Sequence, residues 1–427
     1  MLSYRQPGTI LNDLTFTVPL DHAKPGGEKI ELFAREVVAA DHLASDLPWL
    51  LFLQGGPGFG APRPTGRGSW LDRALKDYRV LLLDQRGTAR SSPANRRTLA
   101  LHATAREQAD YLTHFRADSI VADAELIRHQ LTGGRPWSVL GQSFGGFCVV
   151  TYLSFAPEGI REAFVAGGLP GLDTTPDDLY RATYPIVAAK NLQHYERYPQ
   201  DLERAKQVAR HLADNDTLLP SGARLTIEAF LALGHGLGSS TGSHALHYLL
   251  EEPFAGDELA DDFLYRVQAR LSFATAPLYA LLHEACYAQG GATGWAAQRI
   301  RAEFPEFSIA AALHGDAPLL FTGEMIYPWM IENDPVLRPL RHAANVLAQY
   351  DSWPLLYDAP RLQANDVPAA AAIYYGDMYV PAEYSVQTAA AIRGLRAWVT
   401  NEYEHDGLRV SNGQVLDRLI AMARGNA

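Results

Sequence analysis

The chain has 427 residues and 46.9 kDa, with 37 Lys+Arg against 48 Asp+Glu and a formal net charge of −11. Its 47% hydrophobic and 20% charged residues are those of a packed globular protein and rule out a disordered chain. The acidic balance argues against nucleic acid and against anionic membrane surfaces as partners, because neither phosphates nor lipid headgroups would be attracted; it suits a cationic small substrate.

The first fifty residues read as a β-meander, LTFTVPL followed by KIELFAREVV after the Pro-Gly-Gly turn at 25–27. Three short apolar runs come next: PWLLFLQGG (48–56), YRVLLLDQRG (78–87) and PWSVLGQS (136–143). Runs of four to six apolar residues closed by turn residues predict parallel strands buried on both faces. Between the second and third, Ile120, Ala124, Ile127 and Leu131 share one helical face, and Thr132-Gly133-Gly134 ends that helix. REAFVAGGLP (161–170) adds a further strand. Strands alternating with helices predict a doubly wound α/β sheet.

After about Leu172 the text turns helical, with DLERAKQVARHLAD and LYRVQARLSFATAPLYALLHEACY. Strand patterns return in AAAAIYYGD (369–377) and GLRAWVTNEYEH (394–405), and GQVLDRLIAMAR closes as a helix. The expected organisation is a sheet domain made of residues 1–172 plus 346–427, with a helical insertion at 173–345. Cys148 and Cys286, both in apolar stretches, cannot build a disulfide framework and are expected to be buried thiols. No basic stretch followed by an apolar core opens the chain, and no run approaches the roughly 18 apolar residues of a membrane span. A soluble cytoplasmic protein is expected.

Gly141-Gln142-Ser143-Phe144-Gly145 matches G-x-S-x-G between a predicted strand and a predicted helix. That corner exposes a serine hydroxyl, and the glycines let neighbouring backbone pass close. A serine needs a base to take its proton and an acid to orient the base, in the order Ser, acid, His. His405 is the last histidine and the only one after residue 342, so it is the expected base. Asp377 ends a predicted strand and is the expected acid; Asp351, Asp358 and Asp366 lie in weaker strand contexts. Gly55 and Gly56, with the Phe144 N–H, are the expected oxyanion donors. The turn Asp84–Ser91 could brace that oxyanion loop through hydrogen bonds.

Together, GGPG, DQRGTxRS and GQSFGG resemble the proline iminopeptidase family of α/β-hydrolase serine peptidases, in its longer bacterial subtype. The resemblance extends into GEMIYPWM (323–330), YGDMYVP (375–381) and EHDGLR (404–409). Gln54 stands where that family commonly has His, and Ala89 where it has Gly. The resemblance implies an α/β-hydrolase fold with an inserted helical cap, a Ser143–Asp377–His405 triad, and removal of N-terminal proline from small peptides without a cofactor or metal. It also implies cap carboxylates that bind the substrate's imino cation, matched by Glu284 and Glu324. Desolvated carboxylates would read such a cation through charge-assisted hydrogen bonds. His283-Glu284 is no zinc motif, since no second His follows at i+4. An esterase or amidase of the same fold, and a non-catalytic hydrolase-fold binding protein, are the alternative readings.

Overall fold

A computed structural model describes residues 2–66 and 68–426. Nine strands form one sheet: β1 (Leu2–Gln6), β2 (Thr9–Pro19), β3 (Lys29–Ala39), β4 (Trp49–Leu53), β5 (Arg79–Leu83), β6 (Trp137–Gln142), β7 (Ile160–Ala166), β10 (Ala369–Tyr374) and β11 (Leu395–Thr400). A two-strand hairpin, β8 (Phe254–Ala255) with β9 (Glu258–Leu259), lies in the helical segment. The order across the large sheet is β1-β2-β3-β5-β4-β6-β7-β10-β11. The meander β1–β3 and its junction with β5 are antiparallel, and every pairing from β5 to β11 is parallel. This is the doubly wound α/β sheet expected from the alternating strand and helix patterns, and the α/β-hydrolase architecture that the resemblance implies.

The parallel strands are apolar throughout because both their faces are covered. Leu50, Phe52, Val80, Leu82, Leu140 and Phe164 face one core, closed by the helices Trp70–Ala74 and Gln414–Ala423. Leu51, Leu53, Leu81, Leu83, Val139 and Val165 face the other, closed by the helices Ala117–Thr132 and Phe144–Phe155. In β10, AAAAIY is buried at every position. The helix Ala117–Thr132 ends on Gly133 in the left-handed region, at φ 65°, as its Thr-Gly-Gly signal predicts. Both cysteines are buried free thiols.

From Pro176 to Gln349 the regular structure is helical apart from the β8–β9 hairpin. The run 264–287, which reads as continuous helix in the sequence, is instead two helices, Asp261–Leu271 and Pro277–Leu282, followed by a 3₁₀ turn at Glu284–Tyr287. Proline explains the break: Pro277 has no N–H to give the preceding turn and starts the second helix at its first position. The larger core runs without interruption from the sheet into these helices. Among the described residues no helix is long and apolar enough to cross a membrane, and no group of three or more His, Cys, Asp or Glu is placed to hold a metal ion.

Candidate active site

The chemistry-bearing residues gather at the C-terminal edge of the parallel strands. Strand order reverses beside β4, which has β5 on one side and β6 on the other, and such a switch point opens a crevice at the carboxyl ends. β4 runs into Gln54-Gly55-Gly56, β5 into Asp84, β6 into Ser143, β10 into Asp377, and β11 into the loop carrying His405.

Ser143 stands between β6 and the helix Phe144–Phe155 with φ 55° and ψ −129°. A non-glycine residue held in this region stores strain of about 1–3 kcal/mol. The close-packed surroundings fix it there. The Ser143 N–H donates to the Ala166 carbonyl at 3.1 Å. A β-carbon at Gly145 would run into the Leu53 carbonyl, and one at Gly55 would sit 2.9 Å from the Ser143 β-carbon. The G-x-S-x-G glycines are therefore spacers that allow the corner, and Gly55 is packed directly against the serine.

Phe144 is the first residue of the following helix, so its N–H has no intrahelical acceptor and points with the positive end of the helix dipole. Gly56 has φ 142°, and Gly58 has φ 95° with the Tyr279 backbone against it. The loop is tied from below: Gln85 Nε2 donates to the Gln54 carbonyl at 3.0 Å. The rest of the Asp84–Ser91 turn is bracing of the same kind. Asp84, fully buried, accepts from the Ala61 and Arg90 N–H groups and pairs with Arg63. Arg86, also buried, makes a two-pronged pair with Asp123 and donates to the carbonyls of Pro19, Leu20 and His114. Cutting that pair would leave the buried Asp123 carboxylate with His22 Nε2, at 2.9 Å, as its remaining partner; breaking a buried pair costs about 3–5 kcal/mol.

Asp377 is 1% exposed and its Oδ2 lies 2.6 Å from His405 Nδ1. Its Oδ1 accepts from the Tyr379 and Val380 N–H groups at 2.8 and 3.0 Å, which fixes the carboxylate and leaves Oδ2 for the histidine. Nδ1 of His405 is then the protonated nitrogen and Nε2 the free base. Burial alone would pull the His405 imidazolium down; the Asp377 charge and hydrogen bond outweigh it and raise its pKa above the ordinary histidine value. The Ala166-Gly167-Gly168 loop touches both partners: a β-carbon at Gly167 would lie 3.4 Å from His405 Nδ1, and one at Gly168 would strike the Ser143 carbonyl. Among the described residues Ser143 Oγ makes no hydrogen bond; in unliganded sites such bonds are commonly long and tighten on substrate binding.

The helical segment holds the histidine loop from above. The His405 N–H donates to the Gly238 carbonyl at 3.2 Å, the Tyr379 hydroxyl to the His235 carbonyl at 2.5 Å, and Ser240 bonds Asp406 through both its N–H and its hydroxyl. Lys190 pairs with Glu404 at 2.6 Å.

The two acids read as an amine site differ in their surroundings. Glu324 accepts a hydrogen bond from the Tyr279 hydroxyl, which in turn receives one from His235 Nε2 at 2.9 Å. Burial pushes the Glu324 carboxyl up to about 7, with the Tyr279 bond and the His405 charge opposing it, so it shares the electrostatic field of the His405–Asp377 pair. Glu284 is 7% exposed and both its oxygens are occupied, accepting from the Ala296 and Ala297 N–H groups at 3.1 and 2.9 Å. It therefore caps the helix Ala296–Ile300, and burial raises it too to about 7. Tyr180 lies in the field of both acids. His235, Tyr279 and Tyr379 complete the cluster. Tyr379 lies in the YGDMYVP stretch of the resemblance and Tyr279 in the apolar run before Glu284, whereas His235 carries no motif.

Residues 48–228 match the family model of the alpha/beta hydrolase fold. The chain is 51% identical to a proline iminopeptidase of Aeromonas sobria over 96% of its own length and 95% of that protein's. It is 36% identical to a proline iminopeptidase of Aspergillus aculeatus over 95% and 92% of the two chains. A proline iminopeptidase of Xylella fastidiosa is 33% identical over 28% of this chain and 31% of its own. The motif resemblance in GGPG, DQRGTxRS and GQSFGG thus extends along nearly the whole polypeptide, and the chain belongs to the proline iminopeptidase family of α/β hydrolases.

Proposed function

We propose that this protein is a serine exopeptidase that releases proline from the N-terminus of small peptides. Residues 1–172 plus 346–427 serve as the catalytic domain and residues 173–345 as a cap that reads the substrate's amine. The observation that carries the reading is the 2.6 Å Asp377–His405 pair at the same sheet edge as the strained Ser143 corner, with a partly buried acid, Glu324, in its field. Two near-full-length relatives named proline iminopeptidase support the substrate class.

In this reading His405 Nε2 removes the Ser143 proton as Oγ attacks the prolyl carbonyl. The oxyanion is met by the N–H groups of Phe144 and of Gly55 or Gly56, each such donor worth about 2.7–4 kcal/mol. The imidazolium, stabilised by Asp377, then protonates the leaving nitrogen as its bond to the carbonyl breaks. Water, activated by the same base, attacks the prolyl ester and returns Ser143. Glu324, ionised, binds the secondary ammonium of the N-terminal proline. Glu284 adds negative potential from across Tyr180 while its oxygens anchor the neighbouring helix. A chain extended beyond the amine would have to bury an uncharged amide against these acids, which restricts cleavage to the terminus.

A fluorogenic aminoacyl panel at neutral pH tests this. Prolyl arylamide is expected to be hydrolysed far faster than leucyl or N-acetylprolyl arylamide, with no loss in a chelator. Hydrolysis of simple acyl esters with no turnover of prolyl amides would favour an esterase instead.

A further inference from the structure

A cavity of about 300 Å³ lies within the helical segment, walled by Phe273, Met325, Ile326 and Met330 and bounded by His235 and Gly323. That volume is at the lower end of those that hold small ligands, roughly 300–1,000 Å³. Its walls are mostly apolar, and His235 leaves 43% of its side-chain surface open. Among the described residues, neither Ser143 nor Tyr180, Tyr287 or Glu284 lines it, so it is distinct from the serine corner and from the surroundings of Glu284.

Its direction from the catalytic base is informative. The base that protonates the leaving nitrogen must face it, so the part of the peptide beyond proline lies against His405. From His405 the packing leads to Tyr379, ring centres 4.7 Å apart, and from Tyr379 to His235, 5.6 Å apart. His235 is the first residue on that path that lines the cavity. Gly323 and Met325 on the cavity wall flank Glu324, whose carboxylate turns to Tyr279. The amine reader therefore closes one side and leaves the cavity to the other end of the substrate.

We propose that this cavity is the subsite for the residue following proline and that it selects a large apolar side chain there. The inference rests on the peptidase reading given above and deepens it. The test is kcat/KM of the full chain for Pro-Phe-amide and Pro-Gly-amide. The wild type is expected to prefer the phenylalanyl substrate by at least about tenfold, the scale an apolar pocket yields. Ala274 lies on the cavity wall, and Ala274→Trp should fill the space and abolish that preference. Met330→Ala, which enlarges it, should move the optimum toward Pro-Trp-amide and serves if the first variant does not fold. Equal wild-type rates, or a ratio unmoved in the folded variants, would overturn the proposal. So would variants that alter the choice between prolyl and alanyl amides carrying one leaving group, since the cavity would then serve the acyl side. Absence of any cleavage of prolyl amides would overturn the peptidase reading itself, and this one with it.

Discussion

Replacing His405 by alanine is expected to lower kcat/KM for a prolyl arylamide by about 10⁵-fold, or ~7 kcal/mol of transition-state stabilisation at 1.36 kcal/mol per decade. Its Nδ1 is committed to Asp377 at 2.6 Å, so the imidazole has one free nitrogen and one task. Without it the serine proton has no acceptor and the leaving nitrogen no donor. KM should change little, because the ring makes no contact that the ground-state amide requires. Asp377→Asn should be nearly as damaging. An amide that uses its NH₂ toward Nδ1 would turn the tautomer around and protonate Nε2, the atom that must act as base. Steady-state kinetics with circular dichroism on both variants checks this; a fold-competent His405→Ala enzyme within tenfold of wild type would remove the base assignment.

Glu324→Gln is expected to cost about 10²-fold in kcat/KM toward substrates with a free imino group, the range of one hydrogen bond to a charged partner. The discrimination between free and N-acylated proline esters should collapse with it. The pH profile carries a second signature. Burial holds the Glu324 carboxyl neutral up to about pH 7, and reading a cation requires it ionised. His405, raised above its ordinary value by Asp377, must be neutral. Both groups are thus lost to protonation as pH falls, and log kcat/KM of the wild type should drop with a limiting slope near two per pH unit. In Glu324→Gln the acid that binds the ammonium no longer titrates, and the slope should fall by one. A slope of one in the wild type, with discrimination intact in the variant, would show that another group reads the amine.

The parts of this molecule legible in its sequence are those whose physics is local. Buried parallel strands announce themselves as short apolar runs ending in turns, which is why the ends of β4, β5 and β6 were readable in Gln54-Gly55-Gly56, Asp84 and Ser143. Asp377 and His405 were readable from strand ends and chain order, because the fold brings successive strand ends to one edge. What the sequence hid depends on distant partners. Glu284 finds its hydrogen bonds at Ala296 and Ala297, a contact set by how the 3₁₀ turn folds back on the next helix. The break at Pro277 was marked by its own residue but masked by the apolar periodicity on either side. His235, in ALGHGLG, acquires meaning only through Tyr279 and Tyr379, which reach it from elements 44 and 144 residues away.

In the proposed mechanism Ser143 is made nucleophilic by His405 held on Asp377. Intact-mass and peptide mass spectrometry after treatment with a fluorophosphonate measures it directly. One adduct per chain is expected, on Ser143, formed together with loss of prolyl arylamide hydrolysis and suppressed in His405→Ala. A fully inactivated enzyme with its adduct on another residue, or an unlabelled Ser143 in a chain that still cleaves prolyl arylamide, would contradict it.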